Sequence, residues 1–214
     1  MTAITVEQLR FGYTDKPIVD IEAFRLEQGQ SVAAIGPSGC GKTSFLNLLA
    51  GLLRPDSGQI ALLGQPLAAL SDTELDRFRG GNLGIVLQQF RLLRGLSVID
   101  NLRLAGKLSR RAIEPERYQH LLKRLDIAAV ADHKPSELSQ GQAQRAAIAR
   151  ALVHKPSIVM ADEPTSALDD RNAQEVIELL NSAVTDAGAA LLVVTHDQRI
   201  RGTLNADFDL GTAQ

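Results

Sequence analysis

The chain has 214 residues, and its 23 Lys and Arg residues nearly balance 25 Asp and Glu residues, for a net charge of −2. This length suits one domain with at most an embedded subdomain, and the charge argues against a nucleic-acid partner bound through a bulk positive field. The single cysteine excludes an internal disulfide and a thiolate cluster for zinc. The sequence shows neither a secretory signal nor an apolar run near the roughly 18 residues of a spanning helix. We therefore expect any membrane role to require a partner protein.

Short strand-like runs alternate with helical patterns along most of the chain, which predicts an α/β fold with a largely parallel sheet. Two runs of mixed polarity, Thr5–Phe11 and Ile18–Leu26, predict a smaller, partly exposed sheet at the N-terminal edge. Ser31–Ile35 is a short apolar strand that leads into a glycine-rich loop, and Lys42–Leu53 then has helical character.

The glycine-rich loop spells G-x-x-x-x-G-K-T between a strand and a helix, the context that a phosphate-binding loop requires. Its glycines allow successive backbone N–H groups to point at phosphate oxygens, and the following helix adds the positive end of its dipole. Lys42 is expected to reach the β- and γ-phosphates, and the Thr43 hydroxyl to ligate Mg²⁺. A glycine turn that matches by chance is the alternative. The residues assigned to the nucleotide are Gly36, Pro37, Ser38, Gly39, Cys40, Gly41, Lys42, Thr43 and Ser44.

The middle of the chain has a different pattern. A capping-box spelling at 71–74 predicts a short polar helix that ends near Gly80. From about Ser97 to His154 the pattern is mainly helical, which predicts a helical subdomain of approximately 90–154 inserted in the α/β core. The predicted helix starts are Ser97, Glu114 and Ser139.

Two later apolar strands end in polar side chains. The run 158–161 leads into Asp162 and Glu163, at the end of a parallel strand where ligands bind in open α/β sheets. Asp162 is expected to hold Mg²⁺ through water, and Glu163 to orient or deprotonate an attacking water. The run 190–194 ends near His196, which can reach the same phosphate. Two solvated acids and a structural histidine are the simpler alternatives.

A further anion site is predicted at Ser139 and Gly141, at the start of the helix that follows. One chain does not need two sites for a γ-phosphate. Two chains that face each other do need both, if each lends this helix to the nucleotide of the other.

These motifs, in this order, resemble the ATP-binding subunits of ABC transporters across essentially the whole chain. The motifs are the Walker A loop at 36–43, the Q-loop glutamine Gln88, the signature at 138–142, the Walker B strand at 158–163, the D-loop at 166–169 and the H-loop histidine His196. The resemblance implies a P-loop NTPase (RecA-like) core with an N-terminal antiparallel β subdomain and an inserted helical subdomain. It implies the cofactors ATP and Mg²⁺ and an ATPase activity.

The resemblance also assigns roles to individual residues. Glu163, His196 and Gln88 are expected to be catalytic, and Gln88 also to belong to the metal site together with Thr43 and Asp162. Tyr13 is placed where an aromatic side chain stacks on adenine, with Phe11 as the weaker candidate and an edge-strand aromatic as the alternative. The other nucleotide contacts that the resemblance implies are Ser139, Gly141, Gln142 and Asp169.

One residue departs from the family pattern. Gln140 stands where the signature usually has its first glycine. If this position needs a positive φ, a glutamine there costs about 1 kcal/mol. The implied consequence is a lower hydrolysis rate.

The resemblance implies two partners, a second copy of the chain in a homodimer and an integral membrane permease subunit, at the cytoplasmic face of the inner or plasma membrane. The segments 88–93 and 96–101 look like those of lipoprotein-release and macrolide-export subunits.

The alternative is a non-transport ABC ATPase of the cell-division or assembly type, in which ATP binding switches a partner. The apolar stretch Phe90–Leu96 favours a transporter because it suits a groove for a helix of a membrane subunit, although internal packing explains it equally well.

Overall fold

The structure of the protein, a computed structural model, describes residues 1–14, 16–166, 168, 170–185 and 188–210. The strands are β1 (Thr2–Phe11), β2 (Val19–Glu27), β3 (Ser31–Ile35), β4 (Ser57–Leu62), β5 (Gln65–Pro66), β6 (Leu83–Val86), β7 (Ile158–Asp162), β8 (Ala190–Thr195) and β9 (Ala206–Asp209). The α-helices are α1 (Lys42–Leu49), α2 (Asp72–Asn82), α3 (Val98–Leu108), α4 (Pro115–Arg124), α5 (Gln140–Leu152) and α6 (Asp170–Thr185).

These strands form two sheets. An antiparallel sheet has the order β2-β1-β4-β5, and a parallel sheet has the order β6-β7-β8-β3-β9. Every residue of β3, β7 and β8 is buried, as expected of central parallel strands that are covered on both faces. The predicted fold class, an α/β P-loop core with an antiparallel N-terminal sheet, is confirmed.

The core consists of two apolar clusters. One packs the parallel sheet against helices α3 to α6. The other fills the space between the parallel sheet, α1 and the antiparallel sheet. In this second cluster the rings of Phe24 and Phe45 meet edge to face with centroids 5.6 Å apart, so that α1 is held firmly between the two sheets.

Helices α3, α4 and α5 lie in the chain between β6 and β7, and their N-caps are the predicted starts Ser97, Glu114 and Ser139. The predicted capping box at Ser71 and Glu74 is also present, at the start of α2. A side-chain cap is formed by residues only a few positions apart in the chain, so the sequence alone can predict where such a helix begins.

The prediction was wrong at the end of α1, which stops at Leu49 and not at Leu53. The cause is Gly51, which adopts φ +64° and turns the chain away. Strands β4 to β6 and helix α6 were not predicted.

Among the described residues, none of the helices is long and apolar enough to cross a membrane.

Candidate active site

The phosphate-binding loop joins the carboxyl end of β3, in the parallel sheet, to the start of α1. Gly41 adopts φ +93°, and a Cβ at this position would lie 2.6 Å from the carbonyl oxygen of Ile18, so glycine is required. The buried Lys42 side chain folds back onto the loop, where Nζ donates to the carbonyl oxygens of Gly36 at 3.0 Å and Pro37 at 2.8 Å. The Lys42 ammonium group therefore lies within the loop and gives it a positive charge.

The side chain of Asp162, at the end of β7, faces this loop. The Thr43 hydroxyl donates to Asp162, with Oγ1 3.1 Å from Oδ2. Burial raises the pKa of Asp162, and the nearby charge of Glu163 raises it further against the opposing hydrogen bond from Thr43. A hydroxyl and a buried carboxylate thus lie side by side, and a cation between them would relieve the cost of burying the charge.

The next residue, Glu163, has a carboxylate that is surrounded by donors. Its oxygens accept from Thr195 Oγ1 at 2.9 Å and from His196 through the backbone N at 3.1 Å and Nδ1 at 2.8 Å. Lys42 Nζ lies 3.4 Å from Oε1. Burial acts to raise the pKa of Glu163, but the hydrogen bonds from His196 and Thr195 outweigh it, and the pKa is below its ordinary value. Glu163 is therefore ionised at neutral pH.

Lys42, Thr43, Glu163 and His196 share a cavity of about 390 Å³, whereas the buried Asp162 contacts Thr43 and does not line the cavity. The cavity is lined by Tyr13, Ile18, Ser38, Gly39, Gly41, Lys42, Thr43, Ser44, Gln88, Glu163 and His196. The structure thus brings together predicted residues from the phosphate loop, the Q-loop, the Walker B strand and the H-loop. The Cys40 side chain is different, because it packs against the apolar cluster under the antiparallel sheet and does not line the cavity.

Tyr13 stands at the rim of the cavity with its side chain largely exposed, and its hydroxyl lies 3.4 Å from Ser44 Oγ. Phe11, the weaker adenine candidate, is buried in the core and meets the Tyr13 ring edge to face at 5.0 Å. Phe11 therefore packs against the Tyr13 ring, and its own ring is too buried to stack on an adenine base.

The signature residues lie apart from this cavity. Ser139 caps α5, because its Oγ accepts from the backbone N of Gln142 while the Gln142 side chain accepts from the Ser139 backbone N. Ser139, Gln140 and Gly141 are exposed. Gln140 is the first helical residue and does not adopt a positive φ, so the backbone cost considered for this position does not arise. Asp169, the D-loop residue, lies outside the described residues.

Sequence reasoning missed a network behind Glu163 and His196. The Thr165 hydroxyl donates to Asp197 Oδ2 at 2.8 Å, and the Asp197 backbone N donates to Thr195 Oγ1 at 3.0 Å. Hydrogen bonds from Arg199 are the main cause that lowers the pKa of Asp197 to about 2. A Thr-His-Asp run after an apolar strand was the available signal, but of these residues only the histidine was assigned a role.

A phosphate loop facing a strand that ends in two acids, in a core with an attached antiparallel sheet, defines a P-loop ATPase of the cassette class. The sequence pattern of the ABC transporter family matches residues 20–166, and the chain belongs to this family. It is accordingly an ABC-type, ATP-binding ATPase.

Three known proteins illustrate the relationship. A lipoprotein-releasing system ATP-binding protein, LolD, of Hydrogenovibrio crunogenus is 37% identical over 206 residues, which cover 95% of this chain and 90% of the relative. The dimeric ATP-binding cassette MJ0796, solved in a post-hydrolysis state with ADP and Pi, is 32% identical with a TM-score of 0.80, covering 91% and 88% of the two chains. The cbiO1 protein of Clostridium perfringens, part of the ABC transporter complex cbiONQ, is 30% identical with a TM-score of 0.81, covering 92% and 79%.

Proposed function

We propose that the chain is the energy-coupling subunit of a membrane transporter of the lipoprotein-release or export type. ATP with Mg²⁺ binds at the cavity, two copies of the chain close over two nucleotides, and closure drives an integral membrane permease subunit. The observation that carries the proposal is the meeting of Lys42, Thr43, Glu163 and His196 at one cavity, where the Thr43 hydroxyl also contacts the buried Asp162. Lys42 brings a positive charge and Thr43 a hydroxyl to this cavity, and the ionised carboxylate of Glu163 lies 3.4 Å from Lys42 Nζ.

The residues present fit Mg²⁺. The Thr43 hydroxyl and the buried Asp162 carboxylate are adjacent oxygen donors of the kind that Mg²⁺ prefers. The described residues include no group of three or more His, Cys, Asp or Glu side chains that could hold a metal ion, so phosphate oxygens and water would complete its shell. When bound, the ion neutralises charge that develops on the β- and γ-phosphate oxygens. Gln88, which is exposed and lines the cavity, is proposed to sense the γ-phosphate.

Glu163 is proposed to orient the attacking water and accept its proton, while His196 holds the carboxylate and contacts the γ-phosphate. The contacts of Glu163 with Thr195 and His196 support this assignment because they fix the carboxylate at the cavity wall. Tyr13 is proposed to stack on adenine at the rim.

The position of the signature supports the proposal that two copies close as a dimer. Ser139 and Gly141 are exposed and do not line the cavity of their own chain, and MJ0796 is a dimer. We therefore propose that the N-terminus of α5 contacts the nucleotide of the second copy. ATP can drive this motion only through its higher affinity for the closed state.

The membrane partner is proposed to dock beside Gln88. The Leu93 side chain, five residues further on, is half exposed although it is apolar. The relatives favour transport over the non-transport alternative, since LolD is named for a lipoprotein-releasing system and cbiO1 for a transporter complex. The chain would then lie peripherally at the cytoplasmic face of the inner or plasma membrane.

Steady-state hydrolysis of Mg-ATP tests the site. Glu163→Gln should lower kcat by roughly 10²- to 10⁴-fold and still bind ATP, because the loop of Lys42 is intact. Glu178→Gln, which neutralises an exposed carboxylate on α6, is the matched control and should keep the wild-type rate. Substantial turnover by Glu163→Gln would contradict the assignment.

Purification from the native membrane tests the partner. The wild-type chain should bring down a multi-span membrane protein that raises its ATPase rate on reconstitution, and Leu93→Glu should not. Leu108→Glu places the same charge on another exposed leucine of the same region and should behave as wild type. An isolated wild-type chain that already hydrolyses ATP at a full, unregulated rate would favour the non-transport alternative.

A further inference from the structure

Gln144 is a buried polar side chain that reaches from α5 to the loop of the catalytic glutamate. It is only 1% exposed, and its Nε2 donates to the carbonyl oxygen of Pro164, the residue after Glu163. The two residues are 20 positions apart in the chain. A fully buried side-chain amide needs a hydrogen-bond partner, because burial of the amide without one costs about 1–3 kcal/mol. The hydrogen bond to the Pro164 carbonyl meets this need.

The backbone at Glu163 requires support. Glu163 adopts φ +49°, in the left-handed region, and it precedes a proline, which restricts it further. Such a conformation costs about 1–3 kcal/mol and persists only when surrounding contacts fix it. The Glu163 backbone N donates to the Val194 carbonyl at 2.8 Å, and Ser166 Oγ donates to the Glu163 carbonyl at 3.1 Å.

Those two contacts come from β8 and from the loop itself, whereas the Gln144 contact comes from α5. The proline ring fixes φ of residue 164, so a hydrogen bond to its carbonyl oxygen restrains the remaining torsion. The Glu163 carboxylate is thus held by Thr195 and His196, while the backbone that follows it is held from α5 through Gln144.

We propose that Gln144 is a positioning residue that sets Glu163 according to the position of α5. This inference rests on the proposed function, in which Ser139 of the same helix contacts the nucleotide of the second copy. Gln144 lies five residues after Ser139, which is about 7–8 Å along a helix axis. A shift of α5 on closure is thereby transmitted to the carboxylate of the chain's own site, so that water is activated only when both copies are engaged.

A purely structural role makes a different prediction. If Gln144 only satisfies a buried carbonyl, its loss lowers the free energy of unfolding and leaves kcat unchanged in the folded protein. If it positions Glu163, kcat falls while the KM for ATP stays the same, because Gln144 does not line the proposed nucleotide cavity. Steady-state kinetics of the full chain separates the two.

The test compares Gln144→Met, which keeps the length and removes the donor, with Gln144→Asn, which keeps the amide but withdraws it by one methylene. We expect kcat to fall roughly 10- to 100-fold in both, with KM for Mg-ATP within about twofold. Should Gln144→Met fail to fold, Gln144→Asn carries the same test. Arg117→Met is the matched control, because Arg117 Nη2 donates at 2.9 Å to the Leu152 carbonyl at the far end of α5. It should keep kcat within about twofold.

The result that would overturn the inference is wild-type kcat in a folded Gln144 variant, or an equal loss of kcat in Arg117→Met. Glu163→Gln in the same assay keeps the two proposals apart. If Glu163→Gln retains activity, the proposed function fails. If Glu163→Gln loses activity and Gln144→Met does not, only the role of Gln144 fails.

Discussion

At the scale of the residue, Asp197 shows how one carboxylate joins the two loops of the site. It binds Thr165 after β7 and Arg199 after β8, and its backbone N reaches Thr195, whose hydroxyl donates to Glu163. Arg199 is the main cause of a pKa lowered from 3.8 to about 2. Since the folded pKa is depressed, the ionised carboxylate stabilises the fold above pH 3.8, and this contribution is lost as the pH falls towards about 2.

Asp197→Asn should therefore lower the free energy of unfolding by about 1–3 kcal/mol at neutral pH, because charge-assisted hydrogen bonds are lost. Urea denaturation at about pH 7 and about pH 3 should show a smaller difference from wild type at the acid value. Asp20→Asn removes a partly exposed pair with Arg10 and should cost less than about 1 kcal/mol. An Asp197→Asn deficit that is independent of pH would contradict the proposed linkage.

Cys40 provides a second test at the residue scale. Its half-buried side chain packs against the apolar cluster, and its backbone N lies 3.4 Å from the Pro37 carbonyl oxygen. A maleimide adduct adds bulk to this half-buried side chain and should displace the phosphate loop, so we expect loss of ATPase activity that Mg-ATP slows. Cys40→Ser should stay active and resist the reagent, because the chain has no other cysteine. Inactivation of Cys40→Ser at the wild-type rate would contradict this account.

At the scale of the element, α5 connects the parts of the site. Its N-terminus carries Ser139, its middle holds Pro164 through Gln144, and its last turns hold the segment after Gln88. There, Arg150 donates to the carbonyl oxygens of Phe90 at 3.0 Å and Arg91 at 2.6 Å. In the proposed function, we expect a rigid helix with such contacts to move the Q-loop, the signature and the Glu163 loop together.

The sequence predicted those parts of the site that depend on neighbouring residues. The phosphate loop and the caps at Ser97 and Ser139 are local patterns, so their geometry follows from spacing. The contacts from Gln144 to Pro164 and from Thr165 to Asp197 join residues 20 and 32 positions apart. Such contacts depend on how strands and helices pack, which no local pattern records. The same reason explains why β6, four residues long, was not predicted.

The signature residues at the start of α5 allow a test by mutation. Gln140 is exposed at the first position of α5 without a positive φ, so Gln140→Gly should keep the ATPase rate within about twofold. Ser139→Arg should abolish hydrolysis, because a bulky side chain replaces the cap at the predicted phosphate contact. Both variants are compared with wild type in the same assay. A large loss in Gln140→Gly would show that the Gln140 side chain has a role of its own.

At the scale of the whole molecule, the two functional surfaces of the chain lie apart. The cavity with Lys42 and Glu163 contains no signature residue, and Ser139 stands exposed at the end of another helix. A single chain with this arrangement is an incomplete enzyme in the proposed function. In the proposed dimer, two chains arranged head to tail would complete each other, with each nucleotide between the two halves.

The mass of the Glu163→Gln variant in solution, measured by light scattering with and without Mg-ATP, tests the central claim most directly. We expect one chain without nucleotide and two chains with Mg-ATP, because ATP that is not hydrolysed keeps the halves together. Adding Ser139→Arg to this variant should prevent the dimer while ATP still binds. A mass of one chain at saturating Mg-ATP, or a dimer that Ser139→Arg does not disturb, would contradict the account.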